Sequence, residues 1–363
     1  MGVFLISLGS LFARQPAPML GLDISSSSVK LVELGRGRDT GLVLERCALE
    51  PLERGWVTDG NIEKFDEVAA AIKRLVKKSG ARTKSVAMAL PLSAVISKKI
   101  VLPAGLSDDE LQVQVEAEAH QYIPFALDEV SLDFCVLGPS ATSVGDVDVL
   151  IAASRKEKVQ DREGLAEAAG LKPAVIDVES YASRLALTHW QAQVQGQQQD
   201  KVTAVFEIGA MNTSMQVLRN DDLLYERDQS FGGAQLTQLI VRHYGFSAAE
   251  AENKKRGGDL PNDYAQAVLA PFVEELTQEI ERTLRFFFTS TPHSKVDGVL
   301  LAGGSAGLVG LPEAVTSQTG FACQVINPFE AMQLGPQVRE NKLAQQAPSY
   351  LTACGLALRR FNP

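Results

Sequence analysis

The chain has 363 residues, with 35 Lys+Arg against 44 Asp+Glu and a net charge of −9. Its 45% hydrophobic content is too high for disorder, and its length suffices for a sizeable core in two lobes. The acidic balance argues against a nucleic-acid ligand. Four scattered cysteines without a CxxC pair, and four histidines without HExxH, argue against a zinc site or disulfide frame.

Residues 3–13 (VFLISLGSLFA) are apolar but shorter than the ~20 residues that span a bilayer. No basic residue precedes them, so a misassigned start site, or a short packing or membrane-touching segment, is expected rather than a signal peptide. No other stretch is long enough for a span. Strands are predicted at 19–24, 29–34 and 41–49, the first two joined by the turn Ser25–Ser28. Apolar spacing predicts a helix over 63–79, stopped by Gly80, then a strand over 85–90. A compact unit follows: a strand at 95–102, a helix capped by Ser107 and running through Ile123, and strands at 130–137 and 147–154. A helix (156–169), a strand (173–178) and a helix (179–194) close the first half. The Gln-rich stretch 193–200 reads as a surface spacer.

The second half opens with strands at 202–208, 213–218 and 223–228. Helices are predicted at 233–244, 247–256 and about 265–290, then a strand at 296–301, a Gly-rich turn and a helix from near Ala306. Phe286, Phe287 and Phe288 are consecutive on the long helix, so at least one must leave its buried face. The halves resemble one another: Leu22-Asp23-Ile24-Ser25 lies over Phe206-Glu207-Ile208-Gly209. Each is an apolar strand ending in a carboxylate, Ile and a small residue, then a short turn and another strand.

Tight turns of small residues present backbone N–H groups to phosphate oxygens. Asp23, Ser25, Ser26, Ser27, Ser28 and Lys30 offer one such turn; Glu207, Gly209, Asn212 and Thr213 offer a second. Asp23 and Glu207 can orient the water shell of Mg²⁺, which takes few direct protein ligands. Gly303, Gly304 and Ser305 follow a buried strand and let a flat ring approach the backbone. Gly232, Gly233 and Gln235 open one helix, and Glu252 and Lys255 sit i, i+3 on the next, placed to grip a ribose or adenine edge. Each segment also has a structural reading as a hairpin turn, a solvated strand-end carboxylate or a surface ion pair. No general base for water activation stands out.

The order of these segments resembles the actin-like ATPase superfamily: an α/β fold of two lobes with duplicated β-sheet cores. The segments GLDISSSSVKLVEL (21–34), LPAGLSDDEL (102–111), EAHQYIPF (118–125), FGGAQLT (231–237), LLAGGSAGLVGLP (300–312), NPF (327–329) and APSYLTACGLALR (347–359) resemble the PilM family of type IV pilus assembly. The unit at 92–153 resembles the 1C subdomain of that family and of the division protein FtsA. The resemblance implies a tail (1–17), a first lobe (18–91 and 154–195) carrying the insert, a second lobe (196–346) and a helix (347–363) returning to lobe 1. It implies ATP or ADP with Mg²⁺ between the lobes and at most slow hydrolysis. It also implies capture of the N-terminal cytoplasmic peptide of PilN beside 1C. Contacts with other platform and motor proteins would follow, in a cytoplasmic protein held at the inner membrane through its partners. Ser25 and Glu207 depart from the Gly and Asp usual in the superfamily. Alternatives are an FtsA-like tether or GspL-like secretion scaffold, which would need a terminal membrane segment, and a small-molecule kinase, which would need a catalytic Asp.

Overall fold

The computed structural model describes residues 17–37, 41–195, 200–220 and 222–361. The expected tail segment 3–13 and positions 196–199 of the expected spacer lie outside the described residues. Lobe 1 begins with β1 (Leu20–Ile24), β2 (Ser28–Arg36) and β3 (Leu42–Pro51), an antiparallel meander. A two-strand ribbon, β4 (Val57–Thr58) and β5 (Asn61–Ile62), leads into α1 (Phe65–Ser79), which buries Val68, Ile72, Leu75 and Val76. Gly80 ends α1 in the left-handed conformation, as its sequence predicts. β6 (Ser85–Leu90) then pairs parallel to β1.

The chain leaves lobe 1 at Pro91 to build a small unit of β7 (Val95–Pro103), α2 (Asp108–Ala119), β8 (Val130–Pro139) and β9 (Asp146–Arg155), with sheet order β7-β9-β8. Ser107 and Glu110 close a reciprocal capping box on α2. α2 stops at Ala119 rather than Ile123: residues 120–122 tighten into turns ahead of Pro124, which disfavours helix in the residue before it. Leu111, Val115 and Ala119 pack inward. Val113, on the opposite face, is 65% exposed. The chain re-enters lobe 1 through α3 (Lys156–Ala168), β10 (Lys172–Val178) and α4 (Glu179–Trp190); α4 gives way to a π turn at Gln191–Gln195.

Lobe 2 repeats the plan with β11 (Val202–Ile208), β12 (Thr213–Arg219), β13 (Asp222–Gln229), α5 (Gly233–Tyr244), α6 (Ala248–Gly257), α7 (Ala270–Ser290), β14 (Gly298–Ala302), α8 (Leu311–Thr319) and β15 (Cys323–Val325). The residues ahead of α7, Ala265–Leu269, form a π turn before Pro271, which has no N–H to give a helical ladder. Phe287 is buried and Phe286 points out. The helix expected from Ala306 starts at Leu311 instead. Gly303 and Gly310 hold positive φ, so the intervening residues make successive turns, and Pro312 seats the first helical turn. β16 (Gln333–Leu334) then joins the edge of lobe 1 at β3, and α9 (Glu340–Gln346) and α10 (Leu351–Leu358) end the described chain.

Apart from β16 at the edge of lobe 1, the sheet orders match. Lobe 1 runs β10-β6-β1-β2-β3 and lobe 2 runs β15-β14-β11-β12-β13. In both, the first three strands are antiparallel and the fourth is parallel to the first. Between the lobes, α4 and α10 share one core with both sheets: Val32, Leu34 and Leu44 from one side, Val205, Leu218 and Leu300 from the other. α10 crosses α4 at Gly355, where a Cβ would lie only 1.7 Å from the Ala182 carbonyl oxygen. Gly355→Ala should therefore destabilise the protein by about 3 kcal/mol, read by denaturant unfolding, because the obstacle is backbone that no rotamer change removes.

Candidate functional site

The strand ends of both lobes open into one cleft of about 720 Å³. Within each lobe the hairpin has the same hydrogen-bond closure. Ser25, two residues after Asp23, gives its N–H to the Ser28 carbonyl at 2.9 Å; Gly209, two residues after Glu207, gives its N–H to the Asn212 carbonyl at 2.9 Å. The returning strands differ. Lys30 stands opposite Asp23 and Ser214 opposite Glu207. Lys30 Nζ donates to Asp23 Oδ2 at 2.7 Å and to Ser25 Oγ at 3.3 Å, so lobe 1 carries a buried cation inside its turn. Glu207 Oε1 instead accepts from Thr352 Oγ1 of α10 at 3.1 Å.

Of the sequence-predicted residues, the fold brings Asp23, Ser25, Ser26, Ser27, Ser28, Lys30, Glu207, Gly209, Asn212, Glu252, Lys255, Gly303 and Gly304 to the cleft wall. Thr213, Gly232, Gly233, Gln235 and Ser305 do not line it. Thr213 Oγ1 is buried against the Phe231 carbonyl at 2.7 Å. Gly233 gives its N–H to the Gly209 carbonyl at 3.0 Å, and Ser305 gives its own to Ile208 at 3.1 Å. Gln235 sits one turn into α5, half-buried. Thr213, Gly232, Gly233 and Ser305 brace the second hairpin from behind. Gly303 does the closest bracing: its φ is +90°, and a Cβ there would strike the Ile208 backbone.

Glu252 and Lys255 form more than a surface pair. Lys255 Nζ reaches Glu252 Oε2 at 2.7 Å, Thr237 Oγ1 at 2.7 Å and the Gly233 carbonyl at 3.2 Å, and Arg256 Nε holds the other Glu252 oxygen at 2.7 Å. Burial pushes the Glu252 carboxyl up, but Lys255, Thr237 and Arg256 overcome it and hold the group at about 2.

Sequence reasoning missed a third carboxylate. Glu179 starts α4 directly after β10 and faces the same cleft as Asp23 and Glu207. The signal was present: like them, it is an acid at the end of a sheet strand. Burial first, and then the Asp23 charge, push Glu179 up to about 8 against the pull of Arg162; the same two causes push Glu207 up to about 7 against Lys30 and Thr352. Also unforeseen were Glu226 and Asp228 on β13, Ser349 and Thr352 near α10, and the rim residues Asp59 and Gly60. Arg162 of α3 holds that rim from beneath, donating to the Gly60 carbonyl at 2.7 Å and the Ala89 carbonyl at 3.1 Å.

Duplicated sheets, paired carboxylate hairpins and an interlobe cleft define a protein of the actin-like ATPase fold. Among such proteins, this chain belongs to the family described as type IV pilus assembly protein PilM, whose model matches residues 21–361. It is similar to a chain solved in a PilM-PilN type IV pilus biogenesis complex, at 32% identity and a TM-score of 0.78, over 96% of this chain and 100% of that one. The ethanolamine utilization protein EutJ from Carboxydothermus hydrogenoformans shares the fold, at 16% identity and a TM-score of 0.56, over 94% of this chain and 90% of that one. So does a nucleotide-free diol dehydratase-reactivating factor, at 10% identity and a TM-score of 0.53, over 95% of this chain and 100% of that one.

The raised carboxyls set a pH dependence. A Glu whose folded pKa exceeds its unfolded value binds its proton more tightly when folded, so stability falls as pH rises from 4.5 through about 8. Thermal unfolding of the ligand-free protein should show Tm declining across that window, and Glu179→Gln should flatten the decline. An equal slope in the variant would remove Glu179 as its source.

Proposed function

We propose that this chain is an ATP-binding scaffold of the type IV pilus inner-membrane platform, and that it captures the N-terminal cytoplasmic peptide of the membrane protein PilN. Its 32% identity, over nearly its whole length, to a chain from a PilM-PilN complex is the observation that carries this reading.

The cleft residues fit a magnesium nucleotide. The volume lies within the ordinary range for small-molecule sites. The two turns place small residues where phosphates need close backbone approach, and Lys30 supplies a point charge beneath the first turn. The wall carries Asp23, Glu179, Glu207, Glu226 and Asp228 against Lys30, while Lys255 and Arg256 are engaged by Glu252. A bare triphosphate would be repelled by that wall; bound Mg²⁺ would neutralise part of the charge. Among the described residues no group of three His, Cys, Asp or Glu is placed to hold a metal. Asp23 and Glu207 are therefore assigned to the ion's water shell rather than to direct ligation. Glu179 is positioned to hold or take a proton at the cleft floor, and near neutrality it is largely protonated in the free protein. Asp23→Ala should weaken magnesium–ATP binding at least 100-fold in calorimetry; unchanged affinity would place the phosphates elsewhere.

The inserted unit suits an extended peptide. α2 covers one face of its three-stranded sheet through Ile100, Leu102, Val149 and Ile151. By the strand pairing, Val101, Cys135 and Leu150 share the opposite face, and both β7 and β8 are edges able to accept a strand. Contacts with further platform and motor proteins, and a location at the cytoplasmic face of the inner membrane, follow from the same reading. No helix among the described residues is long and apolar enough to cross a membrane. A synthetic peptide of the PilN N-terminus should slow amide exchange within 95–155. Protection confined to other segments would remove the acceptor role of this unit.

A further inference from the structure

A chain of net charge −9 contains one long window free of carboxylates: residues 68–107 hold eight Lys and Arg and no Asp or Glu. The fold gathers much of this charge at one end of lobe 1. β1, β6 and β10 are parallel, with Leu20 paired to Val86 and Lys172 to Ser85, so their starting residues meet at the end opposite the cleft. α1 finishes at that same end, since only 80–84 separate it from β6. Lys77, Arg82, Lys84 and Lys172 are exposed there, and Lys73 is exposed about one turn earlier on α1. Arg74 and Lys78 are engaged by Glu50, and Glu33 is engaged by Arg46 and Thr83. The five exposed cations have no ion-pair partner among the described residues. One exposed carboxylate, Glu167 late in α3, stands on the approach to Lys172. Lys73 and Lys77 lie i, i+4 on one helix face, a like-charge spacing that costs stability unless something outside offsets it.

We propose that this cleft-distal end of lobe 1 docks directly on an anionic lipid surface. Charge alone would suit an acidic protein equally well; the adjoining sequence decides between them. The described chain enters at Ala17, directly before β1 and beside Ser85 and Lys172, and the residues before it include the apolar run VFLISLGSLFA and Arg14. Acyl-chain contact from such a run and headgroup contact from clustered lysines are individually weak, and together they hold a protein at an interface. This contact is separate from the peptide and nucleotide sites and stands without them.

Sedimentation of the full chain with vesicles of phosphatidylcholine, alone or with about one third phosphatidylglycerol, tests it. Binding is expected to the anionic vesicles only and to weaken as salt is raised to about 0.5 M. The triple reversal Lys77→Glu, Arg82→Glu, Lys84→Glu should lower it at least tenfold. The milder pair Lys77→Gln, Lys84→Gln should give a smaller loss in the same direction, with the unfolding temperature of each variant confirming that it folds. Failure to bind anionic vesicles would overturn the proposal and leave the patch to an acidic protein. Equal binding to both lipids, indifferent to the reversals, would overturn it as well.

Discussion

Everything in the cleft follows from strand-end carboxylates that the duplicated fold forces to face one another. Asp23 and Glu207 stand at the ends of the central strands β1 and β11, Glu179 follows the edge strand β10, and all three face one space. Only Asp23 has a cation within its own hairpin; the matching position in lobe 2 is Ser214. The duplication therefore copies the acid but not the base. What results is a wall whose excess charge is relieved by proton uptake at Glu179 and Glu207 or by a cation arriving with a ligand. The first is written into the upward displacement of both groups. The second is what makes a magnesium nucleotide fit where a bare polyanion would not.

Such repulsion would open the lobes if they met only at the cleft. They do not: α4 and α10 fill a shared core in which both sheets bury side chains, so lobe separation would expose apolar surface from both at once. The C-terminal end of α10 is tied down by Arg359, whose Nε and Nη2 reach the two Asp177 oxygens at 2.6 and 3.0 Å. The inserted unit is less independent than its own small core suggests. Lys156 donates to the Asp128 carbonyl, Lys158 donates to Asn61, and Arg162 holds Gly60 at the cleft rim. One helix, α3, thus touches the insert with its first turn and the strand and loop at the cleft rim with its first and second.

Much of this was legible because the signals were local. The Gly80 stop, the Ser107 cap and the β6 boundaries depend on a few neighbouring residues, and the structure matches them. The twin hairpins were legible for the same reason, since an acid, Ile and a small residue suffice to mark each. The helix expected at Ala306 failed because the glycines read as a single turn continue to Gly310, and two of them need positive φ. Thr213, Ser305 and the Gly232–Gly233 pair have the right composition for a ligand site, yet their hydrogen bonds point to backbone behind it. Spacing in the chain cannot say which side of a hairpin a residue will face once a second element packs there. Glu179 escaped because its neighbours in the cleft come from segments far away in the chain.

Glu207 shows how a departure from pattern becomes part of the structure. Its side chain is one methylene longer than Asp. That reach is used: the carboxylate meets Thr352 in the first turn of α10. The second hairpin is thereby linked to the helix that packs against β1 and α4. An Asp at this position would fall short of Thr352 and leave that hydroxyl, in a buried residue, without the acceptor it now has. The longer acid therefore reads as a fitted residue, set by its distance from α10; Lys30 and the Thr352 hydroxyl both favour its charge, but burial and Asp23 outweigh them.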